Sequence, residues 1–257
     1  MAITPVDLSV TNITATSVRL GWLQWTPAQL FLAGEQGAFY IPQPIVLGTQ
    51  SLFQDAAGTT PVTADGDPVG RMLDQSGNGN HATQTVSGAR PTYRTDGALH
   101  WLEFDGVDDL IAINFNSIIS QPITHAISLD AEDTGQVYAF DGIDGSNRNA
   151  YWGIALSNID IFAGNVVSTN QLRTVDVVFS QILFNGSQSV YRHNGAEEFL
   201  ADAGSQGING VTIGARFSNE SNFNGKIYGF ITVDRELSNN ESENVDIYLA
   251  SISGEAL

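Results

Sequence analysis

The sequence contains no cysteine among its 257 residues and a single lysine, Lys226. The absence of cysteine excludes disulfides, thiolate metal sites and a cysteine nucleophile, so stability has to come from packing. Acidic residues outnumber basic ones by 28 to 10, which gives a formal net charge of −18. Such a surface repels phosphate backbones and anionic membranes, so we expect neither a nucleic-acid nor a membrane partner. The acidic residues are dispersed, as is typical of a solvated surface.

Long apolar runs are also missing. No stretch of the sequence approaches the roughly 18 apolar residues of a membrane span. Residues 1–16 lack the basic start and the continuous apolar run of a secretory signal. We therefore expect a protein that is made in the cytoplasm and stays soluble.

Short runs rich in Val, Ile, Phe, Tyr and Thr alternate with turn signals, the pattern of an antiparallel sandwich. The predicted strands are Ser17–Gln24, Leu99–Phe104, Leu110–Asn114, Ala126–Asp130, Gln136–Asp141, Tyr151–Leu156, Asn158–Ala163, Thr174–Phe184, Ser187–His193, Val211–Ala215 and Lys226–Asp234. They predict an all-β fold: a jelly-roll-like antiparallel β-sandwich over residues 28–257, preceded by an N-terminal β arm over residues 1–27.

Two local signals are especially specific. Asn194 and Gly195 supply the two positive-φ positions of a type I′ hairpin turn. Ser238 and Glu241 form an S-x-x-E capping box, and Gly254 stands where a C-cap is expected. The apolar positions between them, at helical spacing, are Val245, Tyr248, Leu249 and Ile252. The sequence therefore predicts one short C-terminal helix that packs an apolar stripe on the sandwich.

Several segments carry a family resemblance. Leu30–Tyr40 (LFLAGEQGAFY) and Leu52–Val62 (LFQDAAGTTPV) are similar to a segment of phage virion proteins. Val69–Ala82 (VGRMLDQSGNGNHA) and Leu102–Ile111 (LEFDGVDDLI) resemble the D-x-S-G-N-G-N-x-A turn and the F-D-G-x-D-D strand of laminin-G/concanavalin-A-like lectin and glucanase modules. The resemblance implies a concanavalin-A-like sandwich in a tailed-phage virion structural protein.

The function implied by this resemblance is non-catalytic: a capsid-surface fibre, a decoration protein or a tail-fibre component, located in the virion. Its expected partners are other virion proteins and, as a further option, a host-surface glycan. The alternatives are a bacterial carbohydrate-binding or adhesion module, or a polysaccharide-degrading enzyme, because a fold alone does not decide function. Glucanases of this fold carry E-x-D-x-x-E on one strand, and the sequence lacks that motif. We therefore predict that the chain is not an enzyme.

The arm resembles the first two strands of a fibronectin type III domain over Val6–Trp22. A lone hairpin is marginal in water, so the arm needs a partner surface. We expect Trp22 and Trp25 to be exposed there and to mediate assembly into a homo-oligomer, with a trimer as the first expectation because phage fibres are often trimeric. The alternative is that the arm folds back onto its own sandwich.

Two binding sites are predicted. The rings of Tyr151 and Trp152, next to Asn147, Arg148 and Asn149, could stack on and hydrogen-bond a glycan. The alternative is that Trp152 fills the core and the Asn-rich stretch is an ordinary loop.

The second predicted site is for Ca²⁺, with Asp108 and Asp109 as its ligands, because calcium takes six to eight oxygen ligands. The alternative is that the turn residues Asp74 and Asp105 accept hydrogen bonds from the amides of their own turns.

Overall fold

The computed structural model describes residues 25–132, 135–154, 157–174 and 176–255. Its strands are β1 Gly37–Tyr40, β2 Ile45–Val46, β3 Thr49–Gln50, β4 Leu52–Phe53, β5 Arg71–Met72, β6 Ala82–Thr83, β7 Thr92–Thr95, β8 His100–Asp105, β9 Ile111–Ile119, β10 Ile123–Ala131, β11 Gln136–Asp141, β12 Ala150–Ile154, β13 Asn158–Phe162, β14 Val166–Leu172, β15 Val177–Phe184, β16 Val190–His193, β17 Ala196–Phe199, β18 Ile208–Ile213 and β19 Asn224–Val233. The helices are the 3-10 segments Pro27–Phe31, Ser87–Ala89 and Gly186–Gln188 and the α-helix α1, Asn239–Ser253.

Two large antiparallel sheets form the sandwich. The eight-stranded sheet has the order β17-β16-β15-β10-β19-β8-β7, and β1 also pairs with β19. The nine-stranded sheet has the order β14-β13-β12-β11-β18-β9-β6-β5-β4, while β2 and β3 form a separate ribbon. The predicted all-β, jelly-roll-like sandwich with a C-terminal helix is confirmed. The predicted strand at residues 17–24 lies outside the described residues.

The core lies between the two sheets because apolar residues alternate along the strands. In β13 the side chains of Ile159 and Ile161 are buried in the core, whereas the residues between and beside them are more exposed. His125 stands at the centre of the core with no exposed surface, against Phe140 at 4.9 Å between ring centroids. Its Nε2 donates to Asn149 Oδ1 at 3.2 Å, so it is a buried structural histidine.

The two local signals form as predicted. Asn194 and Gly195 have φ of 45° and 81° and connect β16 to β17. Ser238 accepts from the Glu241 N–H in a capping box, and Gly254 ends α1 in the left-handed region. The stripe of α1 packs on the outer face of the eight-stranded sheet, in a cluster that includes Phe39, Phe179, Ile231, Val245 and Leu249. No helix among the described residues is long and apolar enough to span a membrane.

The turn that follows β5 is built by its own side chains. Asp74 accepts from the backbone N–H of Phe39, Ser76 and Asn80 at 2.9 to 3.0 Å, and from the Ser76 hydroxyl. The Nδ2 atoms of Asn78 and Asn80 donate to the Gly37 carbonyl on β1. The conspicuous Asp, Ser and Asn residues of this segment thus anchor β1 through an internal network.

Candidate functional site

The structure divides the predicted glycan-binding set between the core and the outer face of the nine-stranded sheet. Tyr151 lies in the core, where its hydroxyl is within 3.4 Å of Tyr191 Oη. Asn149 has no exposed surface and contacts His125. Trp152 faces outward on β12, yet only 8% of it is exposed, because its ring stacks on Tyr138 at 5.2 Å.

Tyr151 and Asn149 therefore have no surface to offer a sugar, and little of Trp152 remains. The alternative considered from the sequence, that aromatic residues here serve packing, fits this arrangement better.

The side chain of Arg148 is also occupied by contacts within the protein. Its Nε and Nη2 donate to the two carboxylate oxygens of Asp141 at 2.9 and 2.8 Å. Its guanidinium lies 4.7 Å from the ring centroid of Phe162 and 4.6 Å from that of Phe217. The neighbouring Asn147 is half-buried, and its N–H donates to Asp144 at 3.1 Å. The polar groups at this corner of the sheet are therefore occupied by contacts with one another.

The acidic turn after β8 brings three carboxylates together. Oxygens of Asp105, Asp108 and Asp109 all lie within 4.8 Å of one another. Asp109 is buried; this burial, and then the charges of Asp105 and Asp108, raise its pKa to about 7. The donor set is the hard, anionic kind that Ca²⁺ prefers.

The same oxygens already serve the turn. Asp109 Oδ2 accepts from the Asp105 N–H at 3.1 Å, and Asp105 Oδ1 accepts from the Val107 N–H at 2.8 Å. Three carboxylates also fall short of the six to eight oxygens of a calcium site. Calcium binding by Asp108 and Asp109 stays a prediction.

Trp22 and Trp25, the two tryptophans expected to mediate assembly, have to be considered separately. Trp22 lies outside the described residues. Trp25 is only partly exposed, because its side chain packs against the cluster between α1 and the sheet. For Trp25, the expectation of an exposed ring is therefore corrected: its apolar surface is used within the same chain. Oligomeric state and partners stay predictions.

A groove of about 350 Å³ lies on the outer face of the eight-stranded sheet, between the start of α1 and the β16-β17 hairpin. Its apolar lining comes from Leu183, Val190 and Leu237. Phe199, at the end of the edge strand β17, is 79% exposed and lines the same groove. An exposed aromatic ring beside a cleft is uncommon, since rings of this size are usually buried.

Hydrogen bonds and an ion pair hold the polar wall of the groove in place. Arg192 Nε donates to Asp246 Oδ2, and its Nη1 lies 3.6 Å from Glu197 Oε2. Gln181 Nε2 donates to Asp246 Oδ1 and to the Ser242 carbonyl at 2.8 Å. Asp246 is buried on α1, and this burial raises its pKa. The network fixes the guanidinium of Arg192 in the groove wall.

The hairpin that carries Phe199 is tied to the opposite sheet. Glu198, which alternates with Glu197 and so faces the other way, accepts from the Asn170 N–H at 2.8 Å and from its Nδ2 at 2.7 Å. This contact joins the edge strands β14 and β17 of the two sheets. It holds the groove's outer strand against the sandwich and occupies part of an open edge.

The sequence contained one local sign of this groove, an aromatic residue directly after the Glu197-Glu198 pair near a predicted hairpin. The remaining lining residues come from β10, β15, β16, the segment before α1 and the first turn of α1, which only the fold brings together. Neither Phe199 nor Arg192 was predicted as a site residue.

No family model and no curated protein sequence matches the chain. Among solved structures, a Trypanosoma rangeli sialidase is similar with a TM-score of 0.53 and 12% identity, over 88% of this chain and 34% of the sialidase. A GH54 α-L-arabinofuranosidase is similar with a TM-score of 0.59 and 14% identity, over 88% of this chain and 65% of the enzyme. An arabinofuranosidase complexed with arabinofuranosyl-α-1,2-xylobiose gives 0.56 and 14%, with the same coverage.

At these identities the similarity shows the fold alone, and the chain spans less than two thirds of each of these enzymes. The sialidase and the arabinofuranosidases named above are glycosidases. The main functional prediction, a non-catalytic phage virion structural protein, is therefore wrong on this finding. The comparisons favour the alternative weighed from the sequence, a carbohydrate-binding module or an enzyme that degrades polysaccharides.

Proposed function

We propose that the chain is a carbohydrate-binding module that holds a glycan in the groove between the β16-β17 hairpin and α1 without cleaving it. The observation that carries the proposal is the exposed ring of Phe199 at the rim of a groove whose polar wall is already fixed. A sugar presents an apolar C–H face to an aromatic ring and hydroxyls to charged side chains, which is the combination found here.

The size and rigidity of the groove support the same function. Its volume of about 350 Å³ is within the range of small-molecule sites. Arg192 is held by Asp246 and Glu197, so little side-chain entropy is lost when a ligand binds to it. The sequence resemblance to lectin modules and the carbohydrate-active proteins that share the fold agree with this proposal.

The carboxylates beside the groove support binding rather than hydrolysis. Asp246 is engaged by Arg192 and Gln181, and Glu197 lies beside Arg192. Both are tied to the structural network, which leaves Glu236 as the one lining carboxylate among the described residues without an ion-pair partner, whereas glycoside hydrolysis needs one carboxyl group as acid and another as nucleophile or base.

Titration calorimetry with neutral oligosaccharides, including arabinoxylan fragments and N-acetylated chito-oligosaccharides, tests the function. Phe199→Ala should weaken binding about tenfold, the equivalent of about 1.4 kcal/mol for a lost stacking contact. Leu32→Ala is the matched control, because Leu32 is 83% exposed and does not line the groove.

Absence of binding across a broad glycan array would disprove the function. Binding that is indifferent to Phe199→Ala would place the site elsewhere. Release of reducing sugar from a bound glycan, lost on mutation of a single carboxylate, would overturn the non-catalytic part of the proposal.

A further inference from the structure

The charges around the groove are unequal. Among the described residues, Arg192 is the only basic one that lines it, and its charge is offset by Asp246 and Glu197. Arg235, which directly precedes the lining residue Glu236, is held by Glu35 at 3.2 Å and by Glu241 at 2.7 Å. Neither arginine therefore offers a spare positive charge to a ligand.

Glu236 is different from the other carboxylates in this region. Its side chain is exposed and lines the groove. Among the described residues its carboxylate has no ion-pair or hydrogen-bond partner; only its backbone carbonyl is used, by Arg235 NH1. Glu197, across the groove on β17, also keeps 42% of its side chain exposed. Two accessible carboxylates thus border a cleft that already contains an aromatic ring.

Resting on the proposed function, we propose that the groove is selective for a glycan with a free amino group, such as a de-N-acetylated amino sugar. The ammonium group would lie between Glu197 and Glu236 while the sugar face lies on Phe199. A polyuronate or sulfated glycan meets the unpaired carboxylate of Glu236 there and a protein of net charge −18. Charge complementarity of this kind sets specificity more than raw affinity.

The experiment compares three chito- or uronate-type ligands of equal length at low salt and mildly acidic pH. These are chitosan oligosaccharides with free amines, their fully N-acetylated counterparts, and oligogalacturonates. The free-amine ligand should bind about fivefold tighter than the acetylated one, which corresponds to about 1 kcal/mol. Oligogalacturonates should show the weakest binding. Raising the salt concentration should reduce the amine preference, because exposed charges are screened.

Glu236→Gln should remove most of the fivefold preference for the free-amine ligand. Glu255→Gln is the control: it changes the net charge equally, at an exposed residue beyond the end of α1. Equal binding of amine and acetyl forms, with Phe199→Ala still weakening both, would overturn the amine selectivity alone. Failure of all three ligands and of the neutral array would instead disprove glycan binding itself.

Discussion

The two outer faces of the sandwich each contain a buried Asp–Arg pair, and the pairs are built differently. On the nine-stranded sheet, Asp141 receives two hydrogen bonds from Arg148 at 2.9 and 2.8 Å and has no exposed surface. Beside the groove, Asp246 receives one hydrogen bond from Arg192 and one from Gln181, and its pKa is raised. Both side chains of the Asp141–Arg148 pair are occupied by contacts within the protein. Asp246 instead holds the guanidinium of Arg192, which still faces the groove.

The aromatic residues follow the same division. Phe162 and Phe217 both contact the guanidinium of Arg148, so their faces are used within the protein. Phe199 is 79% exposed, and no cation lies over its ring among the described residues. An aromatic residue next to an arginine in a sequence therefore does not by itself indicate a binding site. What matters is whether the fold already supplies the ring and the cation with partners.

The largest expected effect on stability comes from breaking the Asp141–Arg148 pair. Asp141→Ala should lower the free energy of unfolding by about 3–5 kcal/mol, because it leaves Arg148 uncompensated in a largely buried position. It also removes the acceptor for the backbone N–H of Gly142 and Phe217. Urea denaturation with an unchanged m-value would measure it.

The matched variant is Asp246→Asn, which keeps an acceptor for Gln181 or Arg192 and leaves Arg192 next to Glu197. Its cost should be about 1 kcal/mol or less, since a carboxylate with a raised pKa gains little from being charged in the folded state. Equal costs for the two variants would show that the pairs do not differ as the geometry indicates.

The buried side chain of His125 should make the folding stability of the protein sensitive to acid. His125 is fully buried, and this burial lowers its pKa to about 4, while the hydrogen bond to Asn149 acts in the opposite direction. Because the folded pKa lies below the unfolded value, the contribution of His125 to stability is present above about pH 6.5. It is lost as the pH falls through about 4, and the total is about 3 kcal/mol.

His125→Gln isolates this effect, because a glutamine amide can still donate to Asn149 Oδ1 but does not titrate. The variant should be less stable than the parent protein at pH 7 and should lose less stability between pH 7 and pH 4. Thermal unfolding across that range provides the measurement. Parallel pH profiles for the two proteins would show that other groups cause the acid sensitivity.

The structural features that depend on residues close together in the sequence were predicted correctly. The Asn194-Gly195 turn and the Ser238 to Gly254 helix form as expected, because their signals are local backbone preferences. Most long strands were found within a few residues of their observed ends. The two-residue strands β4, β5 and β6 were not, since such short segments have no periodicity to detect. The longer strands β1, β7 and β14 were missed as well, although the burial of β14 alternates.

The site was harder to predict for a physical reason. Arg148, in the loop between β11 and β12, pairs with Asp141 at the end of β11, and the partner of Arg192 is Asp246, on the C-terminal helix. Sequence proximity brought Tyr151 and Trp152 together as one candidate, yet strand alternation turns them to opposite faces. Whether an aromatic residue is exposed depends on contacts from distant segments, and no local pattern reports them.

The smallest effect provides the most direct test of the comparison between the faces. Phe162→Ala should destabilise the protein by about 1–2 kcal/mol, because it removes one ring from the partly buried guanidinium of Arg148. Phe199→Ala removes the same atoms from a ring that is 79% exposed, so its effect on unfolding should stay within about 0.5 kcal/mol. Glycan binding should show the reverse order, with Phe162→Ala close to the parent protein and Phe199→Ala about tenfold weaker. A substantial loss of stability in Phe199→Ala would mean that the ring packs within the protein in solution, and the groove would then lose the feature on which its assignment depends.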